Sequence, residues 1–200
     1  MPSSRNTNLV RLRGFAEFAE VSLARVARAK EVKSEPEALD SRELARLITA
    51  ATKIDSHTAA CVTFLAETGL RYHEFAALQR SDLRERNRVK YLLVFGKGRK
   101  ERVVPLTSRA LDAWNELSFA FNHYFEKRFR GHLARAGKSA RLPYHAHPHL
   151  LRATFMSIHL NEKRTDSALV AKLAGHASVD TMVKHYFKAS LDILAEVMAA

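Results

Sequence analysis

The chain has one cysteine in 200 residues, so no intrachain disulfide can form. Cys61 sits in the apolar run Ala59-Ala-Cys-Val-Thr-Phe-Leu65 and reads as a core residue, not a reactive thiol. Long apolar runs are also missing: no stretch approaches the ~18 residues that a membrane span needs. Residues 9–30 alternate apolar and charged positions, and Glu17 and Glu20 interrupt any signal-peptide core. The expected location is therefore cytoplasmic. Acidic residues are scarce, 21 Asp+Glu against 33 Lys+Arg, which leaves a net charge of +12. The acids are scattered, so the clustered carboxylates of a two-metal nuclease are absent. No internal repeat or low-complexity segment is present. What remains is a basic chain with a sequence pI near 10.1 and 46 % hydrophobic residues. That length and composition suit one packed domain plus a short appendage, and the charge favours a polyanionic partner, most simply nucleic acid.

Hydrophobic spacing predicts mostly helix. Leu12, Phe15, Phe18, Ala19, Leu23 and Val26 recur at helical intervals, giving one amphipathic helix over 9–30. Lys33-Ser-Glu-Pro36 reads as a linker, which sets residues 1–37 apart from a main domain over 38–200. Asp40 or Ser41 can cap a helix carrying Leu44, Leu47 and Ile48. A helix over Ser56–Glu67 ends at Gly69, and another covers Tyr72–Gln79. Val89–Phe95 and Arg102–Pro105 read as two strands joined by the turn Gly96-Lys-Gly-Arg-Lys100. Helices resume at 108–117, 119–136 and 148–161, the last with Pro148 at its first turn. A short helix from Thr165 or Asp166 ends at Gly175; Ser178 caps the next, and 191–198 form an apolar tail helix. The predicted fold class is mainly α with a small antiparallel β-sheet.

Five segments carry candidate chemistry. His149 and Arg152 stand i, i+3 on one helix face. Arginine's planar fork suits a phosphate, and histidine can donate to it or move a proton near neutral pH. Gly175-His176 lies between two helices, where a tight turn can place the imidazole at a pocket rim. Tyr186 follows ten residues later. With an ordinary pKa near ~10, about one tyrosine in a thousand is ionised at pH 7. A nucleophilic tyrosine must overcome roughly 4 kcal/mol, so its site must be strongly cationic. Upstream, Gly69 leaves Arg71 at the start of a new helix, where free backbone N–H groups favour an anion, and Glu74 can orient the guanidinium. Lys97 tops the β-turn, where it can reach a phosphate. Taken singly, each of these is more often a surface charge, a cap or a core-edge aromatic.

Together, in this order, they resemble the tyrosine recombinases, or phage-type integrases. Thr68-Gly-Leu-Arg71-x-x-Glu74-x-x-x-Leu78 followed by Ser81-Asp-Leu83 is similar to that family's first arginine box. Gly96-Lys97-Gly-x-Lys100-Glu-Arg-x-x-Pro105-Leu106 resembles its lysine hairpin. His149-x-Leu-Arg152-x-Thr-Phe155 resembles the second box, and Leu173-x-Gly-His176 with Tyr186 the third box and nucleophile. The resemblance covers about residues 38–190. It implies the catalytic-domain fold of DNA breaking-rejoining enzymes and site-specific strand exchange without metal, ATP or other cofactor. By that resemblance Arg71 and Arg152 clamp the phosphate, Tyr186 attacks it to give a 3′-phosphotyrosyl link, and Lys97 protonates the leaving 5′ oxygen. His149 assists proton transfer and His176 hydrogen-bonds the phosphate. Double-stranded DNA is the expected partner, in a nucleoid-associated homo-oligomer, most simply a tetrameric synapse held partly through the C-terminal helix. Arg99, Lys100, Arg102, Lys184 and Lys188 are candidate contacts to the DNA backbone.

The chain also departs from the pattern. Tyr186 lies one residue further from His176 than in many relatives, with His185 at the commoner position, and Ala153 replaces a frequent histidine. Residues 1–37 hold one helix and a linker where most relatives carry a helical DNA-clamping domain, which predicts a minimal or partial recombinase. Other readings are weaker. His145, His147 and His149 alternate as metal ligands on an extended segment would, but Pro148 interrupts the alternation and no matching Cys or carboxylate cluster follows. Type IB topoisomerases use related residues to relax supercoils, although the His149-x-x-Arg152 form favours the recombinase. A catalytically silent DNA-binding protein of the same fold is the third reading. It is disfavoured because all six catalytic positions carry the expected residue types.

Overall fold

The computed structural model describes residues 2–19, 37–96, 101–119, 123–176, 179 and 182–183. The chain divides into two units, Met1–Glu35 and Pro36–Ala200. In the first, α1 (Pro2–Phe18) starts earlier than its apolar spacing predicts, and Leu12, Phe15 and Phe18 on it are exposed. Residues 20–30 of the expected helix lie outside the described residues.

The second unit is built around α3 (Ser56–Thr68), against which α2 (Ser41–Thr52), α5 (Ser108–Glu116) and α7 (Pro148–Ser157) pack. Asp40 starts α2 with a capping box: its carboxylate accepts from Glu43 N–H (2.7 Å), and Glu43 Oε2 accepts from Asp40 N–H (3.1 Å). Asp55 caps α3 through Thr58 N–H (2.7 Å). Phe64 on α3 lies between Phe75 and Trp114, with ring centroids 5.8 and 5.6 Å away. These three rings are among the largest fully buried side chains, each contributing about 1.5–3 kcal/mol by removal from water.

The sheet has three antiparallel strands in the order β1 (Leu83–Arg86), β2 (Val89–Phe95), β3 (Glu101–Pro105). β1 is not foreseen in the sequence, because Leu-Arg-Glu-Arg offers one apolar residue and reads as loop. The turn Asn87-Arg88 makes it a strand: both residues have positive φ (51° and 64°), as a two-residue type I′ hairpin requires. Leu92, Val94 and Val104 point inward and are buried. α4 (Tyr72–Ala76) stops short of Gln79, which instead opens a 3-10 turn at Arg80–Asp82, its N–H donating to Asp82 Oδ2 (2.8 Å). α6 (His123–Ser139) starts later than expected, after Phe119 turns left-handed with φ 54°. α7 passes into a π-helical turn, Ile158–Glu162, and Glu162 accepts Ser41 N–H (3.0 Å) at the start of α2. α8 (Ser167–Ala174) begins at Asp166 and ends at Gly175, as its caps predict. Of the helices expected after Ser178, only residues 179 and 182–183 are described, as helix. Among the described residues no helix is long and apolar enough to cross a membrane.

Candidate active site

The site forms where α8 ends. Gly175 takes the left-handed conformation (φ 66°), and its N–H reaches Lys172 O (3.1 Å) while His176 N–H reaches Ala171 O (2.8 Å). These two bonds are a Schellman motif, which fixes the chain direction at His176. A helix C-terminus leaves its last carbonyls without intrahelical donors and carries partial negative charge. Three arginines from three other elements fill that vacancy. Arg102 Nε donates to Leu173 O (3.0 Å), Arg152 Nη1 to Ala174 O (2.5 Å) and Arg71 Nη2 to Gly175 O (2.9 Å). Three consecutive carbonyls thus collect Arg71, Arg152 and Arg102 around the turn that bears His176.

Each arginine has a second anchor. Arg152 rises from the buried side of α7, is 2 % exposed, and also donates from Nη1 to Gly69 O (2.7 Å), so it joins the ends of α3 and α8. Gly69 itself has φ 63°, and a Cβ there would run into the Phe155 ring of α7. Arg71 and Arg102 share Glu74, whose side chain is fully buried. Its carboxylate accepts Arg71 Nη1 (3.0 Å) and Arg102 Nη1 (2.9 Å) on Oε1, and Arg71 N–H (2.9 Å) and Arg102 Nη2 (2.7 Å) on Oε2. Burial pushes the Glu74 carboxyl up, but the donors from Arg102 and Arg71 outweigh it and hold the group at about 2. Glu74 therefore stays ionised.

His149 stands on α7 one turn before Arg152, with its edge at the surface. Burial of the ring lowers its pKa first, and the charges of Arg152, His147, Arg71 and His176 lower it further, so the neutral form is favoured. His147 caps α7: its Nδ1 accepts Leu150 N–H (3.2 Å), which leaves the ring proton of the neutral form on Nε2. A cleft runs along this surface, lined among others by Arg71, Arg130, His147, His149 and Arg152, and no carboxylate is among its described lining residues. It is a concave, donor-rich surface suited to an anion.

The structure thus brings together Arg71, His149, Arg152 and His176 of the six catalytic candidates. Lys97 and Tyr186 lie outside the described residues, as do Arg99, Lys100, Lys184 and Lys188. Two expectations change. Arg102 is not a surface contact: its side chain is 9 % exposed and turned inward onto Glu74. Strand alternation carries the signal, because residue 102 shares a face with buried Val104 and pairs across the ladder with buried Val94. Nor is Arg71 N–H free for an anion, since the carboxylate of Glu74 takes it. Anion binding at this corner falls to the guanidinium. The alternating histidines do not converge: the rings of His145, His147 and His149 stack nearly parallel, with centroids 6.2 and 6.4 Å apart. Among the described residues no three His, Cys, Asp or Glu side chains are grouped to hold a metal ion.

Comparison with known proteins places these features in a lineage. Residues 37–191 match the profile of the phage integrase family. The tyrosine recombinase XerC of Haemophilus influenzae (strain PittEE) is 31 % identical over 191 residues, covering 86 % of this chain and 63 % of that protein. XerC of Xanthomonas campestris pv. campestris (strain B100) is 32 % identical over 162 residues, covering 73 % and 49 %. The chain thus spans between about half and two thirds of the length of these relatives. Among solved structures, the XerA recombinase superposes with TM-score 0.65 at 22 % identity, over 98 % of this chain and 75 % of that one. XerH bound to its difH substrate gives TM-score 0.65 at 23 % identity, over 88 % and 57 %.

Proposed function

The chain belongs to the phage integrase family of tyrosine recombinases, and from that premise we propose that it is the catalytic part of a site-specific DNA recombinase. The observation that carries the reading is the convergence of Arg71, Arg152 and His176 on the last turn of α8, with His149 beside them on α7. Two guanidiniums on one cleft wall suit the two non-bridging oxygens of a phosphodiester. They act most strongly on the extra charge of the pentacoordinate transition state, and they are already held in place before the reaction.

In this reading Tyr186 attacks the phosphorus. The P–O5′ bond breaks, a 3′-phosphotyrosyl bond forms, and Lys97 gives the departing 5′ oxygen its proton. His149, held neutral by its surroundings, can take up the phenolic proton. His176 donates to a non-bridging oxygen. Cationic neighbours also ease ionisation of the phenol, which is the demand a tyrosine nucleophile makes of its site. The covalent bond preserves the energy of the phosphodiester, so the strand can rejoin to a new 5′ hydroxyl without metal, ATP or another cofactor. Double-stranded DNA is the partner, supported by the net charge of +12 and by the relatives solved with DNA. Assembly on DNA, with a tetrameric synapse using residues 189–200, belongs to the same reading, as does a nucleoid-associated place in the cytoplasm. Relaxation of supercoils and silent DNA binding are the less favoured readings.

The test is covalent trapping. Nicked duplexes with randomised flanks are incubated with the protein, and adducts that survive denaturation are isolated and sequenced. Wild type is expected to give a discrete adduct and Tyr186→Phe none. No wild-type adduct, or an equal yield from Tyr186→Phe, refutes the reading. Binding to the recovered site should weaken about a thousandfold between 50 and 200 mM salt if roughly six phosphates are contacted.

A further inference from the structure

We propose that Arg102 is a positioning residue of the phosphate site: it occupies Glu74 and offsets its charge, so that the positive charge of Arg71 stays uncompensated and its outward N–H groups remain for the scissile phosphate. The assignment rests on the recombinase reading above. It starts from a conflict between two roles of Glu74. The carboxylate lies behind Arg71 and fixes it through the backbone N–H and Nη1. An Arg71–Glu74 pair alone, however, is electrically neutral and attracts a phosphate poorly.

Arg102 removes the conflict. An ionised carboxylate has about four lone-pair positions, and here four donors fill them, two from Arg71 and two from the Arg102 fork. With Oε1 and Oε2 both engaged, Arg71 spends a single guanidinium N–H on Glu74 and another on Gly175 O. Its side chain stays one-third exposed (33 %), whereas that of Arg102 is 9 % exposed and spends its fork inward. Two guanidiniums and one carboxylate leave the trio at a net +1. Without Arg102 the trio becomes neutral, and the vacated lone pairs of Glu74 draw the Arg71 fork into a bidentate pair, away from the cleft.

The fold holds Arg102 to this task. It projects from the edge strand β3, its Nε is tied to Leu173 O, and a Cβ at residue 175 would come within 2.9 Å of its Nη1. Its planar fork has little room to turn. Lysine at this position would restore the charge but not the two parallel bonds.

Single-turnover cleavage of a nicked duplex bearing the recovered site tests the assignment. The proteins compared are wild type, Arg102→Met, Arg102→Lys and the double variant Arg102→Met with Glu74→Gln. DNA affinity is measured by anisotropy and folding by circular dichroism. Arg102→Met is expected to cleave about ten- to a hundredfold more slowly, with DNA affinity changed less than about threefold because the remaining backbone contacts persist. Arg102→Lys should fall between it and wild type. The double variant is the decisive one: it lacks the strand-to-helix tie, yet its neutral glutamine leaves Arg71 with a net +1. It should cleave within about tenfold of wild type, a barrier change near 1.4 kcal/mol. Because it buries no unpaired carboxylate, it also serves if the single variant does not fold. Arg102→Met cleaving at the wild-type rate overturns the assignment. A double variant that cleaves less than about threefold faster than Arg102→Met, or more than about tenfold below wild type, overturns it as well, because Arg102 is then a structural tie alone. A wild-type protein that forms no adduct overturns the recombinase reading and this assignment with it.

Discussion

Replacing Gly175 by alanine tests the construction of the site at its tightest point. Two penalties add there. An L-residue at φ 66° costs about 1–2 kcal/mol, because its Cβ crowds the following carbonyl. The new Cβ would also lie 2.9–3.0 Å from Nη1, Cζ and Nε of Arg102. A free arginine would swing aside, but this one is held by Glu74 and Leu173 O, so the contact counts as overpacking, about 1–3 kcal/mol. The expected loss is about 2–5 kcal/mol from a domain stability of about 5–15 kcal/mol. Cleavage is therefore read per folded molecule, and any loss beyond the unfolded fraction is a loss at the site. Asparagine at 175 separates the two penalties, because it tolerates the left-handed conformation yet still carries a Cβ. If φ dominates, Gly175→Asn recovers most of the stability; if the contact dominates, it matches Gly175→Ala. Gly131, exposed on α6 with nothing within 4 Å of an added methyl, is the control, and Gly131→Ala should gain about 0.5–1 kcal/mol. Urea unfolding followed through Trp114, the single tryptophan, reads all three variants. An unchanged midpoint for Gly175→Ala, or an equal loss for Gly131→Ala, refutes the reasoning.

Glu74 should shape the acid limb of the stability curve. Its carboxyl is held at about 2 against an ordinary 4.5, so its contribution is complete above pH 4.5 and disappears as pH falls toward 2. The amount is about 3 kcal/mol, and Glu74→Gln should flatten that part of the curve in urea titrations; an unaltered acid limb would count against the buried trio. His147 should act nearer neutrality. Burial, then His145 and Arg130, lower its pKa from 6.5 against the opposing pull of Glu37, so the neutral cap is fully present above pH 6.5 and weakens below it. His147→Asn keeps a capping group that does not titrate, and its Tm should fall less than that of wild type between pH 8 and 5.5. Gly69→Ala combines a φ of 63° with a collision against the Phe155 ring and should cost about 2–5 kcal/mol by the same unfolding assay; a neutral result would mean that α3 does not end as described.

Local rules recovered what is local. Asp40 and Asp166 start their helices, and Gly69 and Gly175 end theirs, because capping depends on a few neighbouring residues. β1 was not legible, since its stability comes from pairing with β2 and not from its own four residues. Among the candidate site residues, side-chain type and order alone point to Arg71, His149, Arg152 and His176. Glu74 was legible as the partner of Arg71, but the backbone anchors were not, because a carbonyl carries no residue-type signature. Nothing at positions 173–175 reveals in sequence that three arginines will end there. Arg102 shows the same limit from the other side: its charge suggested solvent, and the alternation with Val104 outweighs charge once Glu74 lies on the inner face.

The polarity of α8 explains why these cations are arginines. Phosphates commonly sit at helix N-termini, where free N–H groups and the positive dipole end meet the anion. Here the helix presents its C-terminus, which carries about half a negative charge and would repel a phosphate. The same negative end is a good support for cations. Arg71 must donate inward to Gly175 O and Glu74 while a face of its fork remains toward the cleft. A lysine ammonium is a point charge; held by the carbonyl and the carboxylate, it would have little left to orient outward. Arginine's five fixed donors divide the work, so that in the proposed reading the helix end holds the group that the phosphate needs. On this argument Arg71→Lys should lower single-turnover cleavage by about a hundredfold while binding to the recovered DNA site changes by less than about threefold. If Arg71→Lys instead cleaves as wild type does, charge alone suffices at this corner and the division of donors between helix and phosphate is wrong.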